Sequence, residues 1–398
     1  MTSPTKDPTM QINPLAFDAG EYAARKERLL GALAEQRLDA LLVFQQESLY
    51  YLYGYDQIGY WVYQTAIVPA DGSDPTVLCR NADEHLVRDT PHLQDVRTWL
   101  DDSPRDPGTI TVEILRERGL LRAGARIGVE RRTYSLMPYW YDMLTAAMPD
   151  GVELVDASDL VSALRQIKSP AELELMRRAG AIMDAGFEAA FDAIAVGARE
   201  HDLHAAAAAA MYRAGGEAAA VAPPIASGHR TLSQTHVGPS DRVLRDGDPI
   251  TIELGGVHRR YHAVGAHSCV VGEPTAAMCR LHDGIVSALT GAFGLIEPGR
   301  PTSEVAARVQ EGLEAAGLDR RGRHVGYGTG IGYPPSWLEP LRLKGSDGHA
   351  LEAGMTFFYF VGVTDRENGF CFYVGEPVAV TETGAERLSR LPMELVRR

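Results

Sequence analysis

SGHRTLSQTHVGPSDRVLRDGDPITIELGG, residues 227–256, carries three local signals in one run. A Ser-Gly pair opens it, His236 stands just before a Val-Gly-Pro turn, and Gly-Asp-Pro leads into an apolar run broken by Glu253. Gly, Asp and Pro punctuate loops, so Pro249–Gly256 reads as a strand. Side chains alternate along a strand, which puts Ile252 and Leu254 on one face and Glu253 on the other. Glu253 therefore points either into a cavity or into water. His236, with an ordinary pKa near neutrality, is a candidate proton carrier, and a loop-capping imidazole beside Pro239 is its structural alternative.

Upstream of this run, Ser169-Pro170 begins a new texture. Ser169 suits an N-cap and Pro170 the first helical position, with Glu172 and Glu174 placed favourably in the first turn. A long Ala-rich helix from Pro170 to about Ala195 is expected, then a second over Asp202–Ala214 that stops at Gly215-Gly216. Downstream, HSCVV, TFFYFVGV and PVAVTE read as strands, and 276–295 and 302–316 as helices. Runs of helices against runs of strands argue for an α+β domain with an antiparallel sheet. Before residue 160 the texture differs: an amphipathic helix at 21–38 and then DALLVF, YYLYGY, TAIVPA and PTVLCR, alternating in the manner of an α/β domain. Two domains follow, 1–160 and 161–398.

Composition narrows the function classes. The chain has 398 residues, 45% apolar and 23% charged, with a net charge of -14. That charge argues against nucleic acid, whose phosphates require clustered Lys and Arg, and against an anionic membrane. The four cysteines show no CxxC pair, which suits a reducing cytoplasm. The opening MTSPTKDPTMQ lacks the apolar stretch of a signal peptide, and no run of about 18 apolar residues appears. A cytoplasmic protein with a small-molecule substrate is expected.

RQIKSPAELELMRRAG (165–180), the 227–256 run, GYGTGIGYPPSW (326–337), LEAGMTFFYF (351–360) and EPVAVTETG (376–384) together resemble the creatinase, aminopeptidase P and prolidase (M24 peptidase) superfamily. The resemblance spans the chain. It implies a small amino-terminal α/β creatinase-type domain, a carboxy-terminal pita-bread domain with the active site on its sheet, and a homodimer. It also implies a dinuclear metal site held by two Asp, one His and two Glu, since paired divalent ions need several carboxylates. Here those positions fall on Glu253, Val264, Tyr327, Phe360 and either Gly375 or Glu376, a one-residue choice of register. Val264 and Phe360 offer no lone pair. His258, His262 and His267 are conceivable replacements, yet a strand His is more often a hydrogen-bonded core group. No metal and no other cofactor is expected. The pattern is similar to the metal-free branches, creatinase and ectoine hydrolase.

The resemblance implies His236, Glu253 and Glu376 as catalytic residues of a hydrolase that cleaves a C–N bond in an amidine, guanidine or cyclic amidine. His236 would move protons, while Glu253 and Glu376 would clamp the cation or Glu253 would attack carbon. Tyr327 would donate a hydrogen bond, and Phe360 would fill the volume that metal and water leave. Tyr261, within HRRYH, is a further candidate substrate contact. His267 stands where the family often has Arg. Tyr60 and Tyr63 are candidates for an aromatic lid, against the commoner reading of aromatic core. A metal-dependent Xaa-Pro peptidase, a lyase or cyclase on the same fold, and a non-catalytic binding scaffold are the competing readings.

Overall fold

The computed structural model describes residues 12, 14–233, 237–319, 324–346 and 348–398. It divides into two compact units, Met1–Arg165 and Gln166–Arg398. Among the described residues, no helix is long and apolar enough to cross a membrane.

The first unit is built on strands β1 (Ala40–Val43), β2 (Thr65–Pro69), β3 (Thr76–Arg80), β4 (Asp95–Trp99), β5 (Arg126–Val129) and β6 (Glu153–Asp156). Their order is β4-β3-β2-β1-β5-β6, with β1, β5 and β6 parallel and β2 antiparallel to its neighbours. Helix Ala19–Glu35 begins where the Asp18 carboxylate accepts from Glu21 N (3.0 Å), so one orphan N–H of the first turn is satisfied. Leu42, Phe44, Ile67, Leu78, Ile127 and Val129 form the core of this unit. The first four residues of YYLYGY close the helix Gln46–Tyr53, which Gly54 ends in the left-handed region (φ 72°).

The second unit carries β7 (Ile225–Ser227), β8 (Pro249–His258), β9 (Tyr261–Val270), β10 (His324–Gly328), β11 (Arg342–Lys344), β12 (Thr356–Asp365), β13 (Phe370–Thr381), β14 (Gly384–Arg387) and β15 (Val396–Arg397). The path runs β11-β10-β12-β13-β9-β8-β7, antiparallel throughout, with β14 beside β13 and β15 beside β9. One face is covered by helices. Pro170–Asp192 and Glu200–Arg213 pack on Ile252, Leu254 and Ile250, while Ala276–Phe293 and Thr302–Ala315 pack on Phe357, Tyr359, Phe372 and Val374. Ser169 and Glu172 form a capping box that fixes the start of the first of these helices (Ser169 N to Glu172 Oε2, 2.9 Å). The helix crosses β8 so closely that a methyl on Gly256 would collide with Ala179 O and Met183 N, which explains the Gly in that strand.

The β8–β9 hairpin turns on Arg259 and Arg260, both left-handed (φ 50° and 65°). Their backbone N–H groups donate to the Glu217 carboxylate (2.8 and 3.2 Å), which offsets a strain of about 1 kcal/mol per residue. Because the hairpin register pairs Glu253 with Ala266 and Gly255 with Val264, these side chains share the face opposite the helices.

Candidate functional site

That opposite face holds a cavity of about 690 Å³ within the second unit. Glu253, Tyr327, Trp337, Arg342, Phe360 and Tyr373 line it, with His324 and Arg366 also on its wall. Each arrives for a simple reason of register. Tyr327 pairs with Phe358 across β10–β12, and Phe358 and Phe360 stand two apart on β12, so all three point the same way. Tyr373 on β13 pairs with Gly362, a position of the same face.

Among the described residues Glu253 is the one acid on the inner wall that is buried from solvent. Its backbone N–H donates to Pro224 O (2.9 Å), which ties β8 to the chain entering β7. Its side chain receives a hydrogen bond from Tyr327, whose hydroxyl in turn accepts from Trp337 Nε1 (3.0 Å). Among the described residues carboxylate oxygen Oε2 has no hydrogen-bond partner. Burial in this apolar wall pushes the Glu253 pKa up to about 8, with the Tyr327 hydrogen bond pulling weakly the other way. Burial and the neighbouring Glu253 charge hold the Tyr327 phenol well above its ordinary range.

Aromatic rings enclose this acid. Phe358 and Phe360 stack at 4.7 Å, Tyr327 meets them edge-on at 5.5 and 5.6 Å, and Phe360 meets Tyr373 at 5.2 Å. The indole of Trp337 lies against Gly255, where a methyl would come within 2.8 Å of the ring. Across β12–β13 Phe360 pairs with Gly375, and a methyl on Gly375 would collide with Phe360 Cβ and approach Phe358 Cε2 at 2.6 Å. A benzyl group has grown over a position with no side chain. Rings facing a lone carboxylate form an environment suited to a flat cation, attracted both to the acid and to the ring faces.

Several expected site residues lie elsewhere. Glu376 pairs with Tyr359 and shares the helix-covered face, because its neighbour Gly375 takes the cavity face. It is buried there in an ion pair with the Arg387 guanidinium, and burial raises its pKa against that pairing. It cannot clamp a ligand together with Glu253. His267 pairs with Ile252 and faces the helices, its ring 4.6 and 5.4 Å from Phe187 and Phe191, and burial lowers its pKa to about 4. A neutral, core-packed imidazole does not replace an Arg. Tyr261 is buried and donates to Glu172 Oε1 (2.7 Å), supporting the capping box rather than a substrate. Tyr63 belongs to the core of the first unit, bonded to Thr111 Oγ1 (2.8 Å), and is no lid. Tyr60, half-buried in the same unit, packs its ring on Trp61 at 5.6 Å. Tyr327, Glu253 and Phe360 do come together at the cavity. His236 lies outside the described residues.

The metal positions can now be tested against the geometry. Because Gly375 and not Glu376 faces the cavity, the five positions read Glu253, Val264, Tyr327, Phe360 and Gly375. One carboxylate and one phenol do not fit a dinuclear centre. Two of the replacement imidazoles, His262 and His267, do not mend it. Both nitrogens of His262 are engaged by backbone, Nε2 with Ala220 N (2.9 Å) and Nδ1 with Arg260 O (2.8 Å), and His267 faces the other way. Among the described residues no cluster of three or more His, Cys, Asp or Glu is arranged to hold an ion.

Trp337, Arg342, Tyr373 and Phe358 were not expected at the site. Phe358 carried a signal, standing two residues from Phe360 in one strand. Arg342 carried none, since only the β10–β11 pairing brings it beside Tyr327.

Residues 174–382 match the model of metallopeptidase family M24, and residues 25–167 match the creatinase/prolidase amino-terminal domain. The chain belongs to family M24. Like its relatives it is a hydrolase with a creatinase-type amino-terminal domain and a pita-bread carboxy-terminal domain, as its sequence leads one to expect. It is 27% identical to ectoine hydrolase of Halomonas elongata, over 96% of this chain and 98% of that protein. It is 30% identical to an uncharacterized hydrolase/peptidase of Sinorhizobium fredii, again over 96% and 98%. Dipeptidase PepE of Mycobacterium ulcerans superposes with a TM-score of 0.80 at 25% identity, covering 96% of this chain and 99% of that one. This M24 chain thus stands near both dipeptidases and an ectoine hydrolase, and its own cavity must separate them.

Proposed function

We propose that this M24 enzyme hydrolyses a C–N bond in a small cationic amidine, guanidine or cyclic amidine that also bears a carboxylate, and does so without a bound metal. The observation that carries this reading is Glu253, the one buried carboxylate on the cavity wall among the described residues, facing aromatic rings where a dinuclear site would need five ligands. A peptide substrate presents a neutral carbonyl, for which a desolvated acid and aromatic walls supply no positive charge. An amidinium supplies its own. Its planar N–H edge pairs with Glu253 while its faces lie on Phe360 and Tyr373. Arg342, which donates to the Glu339 and Leu341 carbonyls, lines the same cavity as a receptor for the carboxylate end. Likeness to ectoine hydrolase agrees with a substrate of this shape.

The chemistry needs a water, a proton carrier and a polarised carbon. Water oxygen bonds to the amidinium carbon as the C=N π pair moves onto nitrogen, and the proton lost from water goes to His236. The same imidazole returns it to the leaving nitrogen; as the C–N bond breaks and the C=O forms, the remaining hydroxyl proton passes to the released amine, giving an amide (a urea from a guanidine) and an ammonium group. In a ring substrate both groups stay in one product. Glu253 stabilises the cation before attack. With a pKa near 8 it is mostly protonated in the empty pocket at neutral pH, so cation binding expels its proton.

The deciding experiment offers the purified protein creatine, ectoine, other carboxylate-bearing amidines and Xaa-Pro dipeptides, before and after dialysis against EDTA, with products read by mass spectrometry. Turnover of an amidine that survives EDTA is expected. Dipeptide cleavage that EDTA abolishes and Mn²⁺ restores would overturn the reading.

A further inference from the structure

Lys168 and Glu339 form a buried ion pair, Nζ to Oε2 at 2.5 Å, with side chains only 2% and 1% exposed. Neither residue lines the cavity. Gly330 makes room for the pair, since a methyl there would come within 2.7 Å of Glu339 Oε1 and 3.0 Å of Lys168 Cε. Taking two charges out of water costs about as much as their attraction returns, so a well-packed apolar pair would serve stability equally well. What an ion pair adds is direction: it holds one particular atom against another.

One end of the pair is anchored. Lys168 N donates to Gly354 O (2.9 Å), its amine also reaches Gln166 O (3.4 Å), and the next residue, Ser169, opens the capping box of helix Pro170–Asp192. The other end lies in a stretch without regular structure. Residues 337–341 belong to no helix or strand, yet Trp337, Leu338 and Arg342 all line the cavity. Glu339 N donates to Gly328 O (2.8 Å), and Glu339 O accepts from Arg342 Nη1, which also donates to Leu341 O (2.8 Å). Pairing with Tyr327 across β10–β11 fixes the Arg342 backbone but leaves its long side chain to be placed by these carbonyls. The Glu339 carbonyl is itself held by two bonds of its own residue, the backbone one to Gly328 and the side-chain one to Lys168.

We propose that the Lys168–Glu339 pair positions the Arg342 guanidinium as the receptor for the substrate's carboxylate, so that preference for carboxylate-bearing cations depends on the pair while cation binding at Glu253 does not. This inference rests on the functional reading above, in which Arg342 takes the carboxylate end. Lys168 and Glu339 are positioning residues and touch no substrate. The competing account is a staple that serves stability alone, and it predicts either equal losses for every ligand or a lower Tm and nothing more.

The test measures, by calorimetry on the full-length protein, binding of benzamidine, which lacks a carboxylate, and of 3- and 4-amidinobenzoate, which carry one. Wild type should prefer the better amidinobenzoate by about 10- to 100-fold, as a charge-assisted pair with Arg342 allows. Lys168→Met should lower that preference about tenfold, with benzamidine affinity within about twofold of wild type. In an Arg342→Gln background Lys168→Met should change the preference no further, an outcome that general loosening would not give. If Lys168→Met does not fold, the double variant Lys168→Met/Glu339→Met decides the matter: it removes both charges together and should keep the fold while losing the preference. An unchanged preference in that folded double variant overturns the inference, as does a parallel loss of benzamidine and amidinobenzoate affinity. Wild type that binds benzamidine without preferring either amidinobenzoate overturns it too, because Arg342 is then no receptor. Failure of wild type to bind benzamidine at all would instead sink the functional reading, and the inference would fall with it.

Discussion

Replacing Glu253 by Gln should stabilise the protein at neutral pH while destroying its activity. Burial raises the carboxyl from an ordinary value of 4.5 to about 8, so the fold holds a proton that the unfolded chain releases above 4.5. The stability tied to that proton is complete below about 4.5 and is lost as pH rises through about 8. At pH 7 the window already spans about 2.5 units, worth roughly 3 kcal/mol at about 1.4 kcal/mol per unit. Gln keeps the shape and an acceptor for the Tyr327 hydroxyl but carries no titrating proton. For a unit of the size of Gln166–Arg398 this corresponds to a Tm gain of about 6–12 °C. Thermal unfolding of wild type and Glu253→Gln at pH 5, 6, 7 and 8 measures it directly. The two curves should nearly coincide at pH 5 and separate steadily with alkali. Curves that stay parallel would show that Glu253 ionises freely, and the account of a desolvated acid would fall.

Three further outcomes follow from the same geometry. Because the cation pairs with the ionised acid, kcat/KM should rise about tenfold per pH unit below roughly pH 8 and level off above it; a pH-independent rate on an amidine substrate would contradict this. Arg342→Gln should raise KM about 10- to 100-fold for carboxylate-bearing substrates and leave benzamidine affinity unchanged, as steady-state kinetics and calorimetry would show. Glu376→Gln should leave kcat and KM within about twofold of wild type, since the side chain bonds Arg387 on the helix-covered face, and a severe loss of turnover would mean that the strand register has been misread.

The broad architecture was legible because it is written in local patterns. Ser169, Pro170 and Glu172 announce the helix that begins there, and PITIELGG alternates as a strand must. The site was legible wherever alternation alone fixes a side chain's direction, as for Glu253 between Ile252 and Leu254. It failed where one residue of register decided the face. Glu376 and Gly375 are adjacent, and an acid draws the eye more than a glycine, but β13 turns the glycine inward because Phe360 needs its space. Tyr261 and His267 were misread for a related reason. Both are polar residues on a strand, and only the packing of Glu172, Phe187 and Phe191 shows that their partners lie in the helix layer. Arg342 was invisible because its approach to Tyr327 is a tertiary event, made by a strand pairing that nothing in RLK announces.

The pairing of Phe360 with Gly375 also bears on how such a pocket arises. Losing a ligand from a dinuclear site leaves the remaining carboxylates facing one another without cations, and like charges in a dry cavity repel strongly. Removing acids is therefore the physically easier course once the ions are gone, and the volume they vacate must be refilled to avoid a cavity cost. Phe360 fills the space over Gly375, Tyr327 meets the phenylalanine rings edge-on, and of the five ligand positions only Glu253 bears an acid. One acid without a cation is unstable as an ion, which is why its pKa climbs, and that same instability is what a cationic substrate relieves on entering. Affinity for a cation and the stability cost of Glu253 thus have one physical origin, so a substitution that removes one must remove the other.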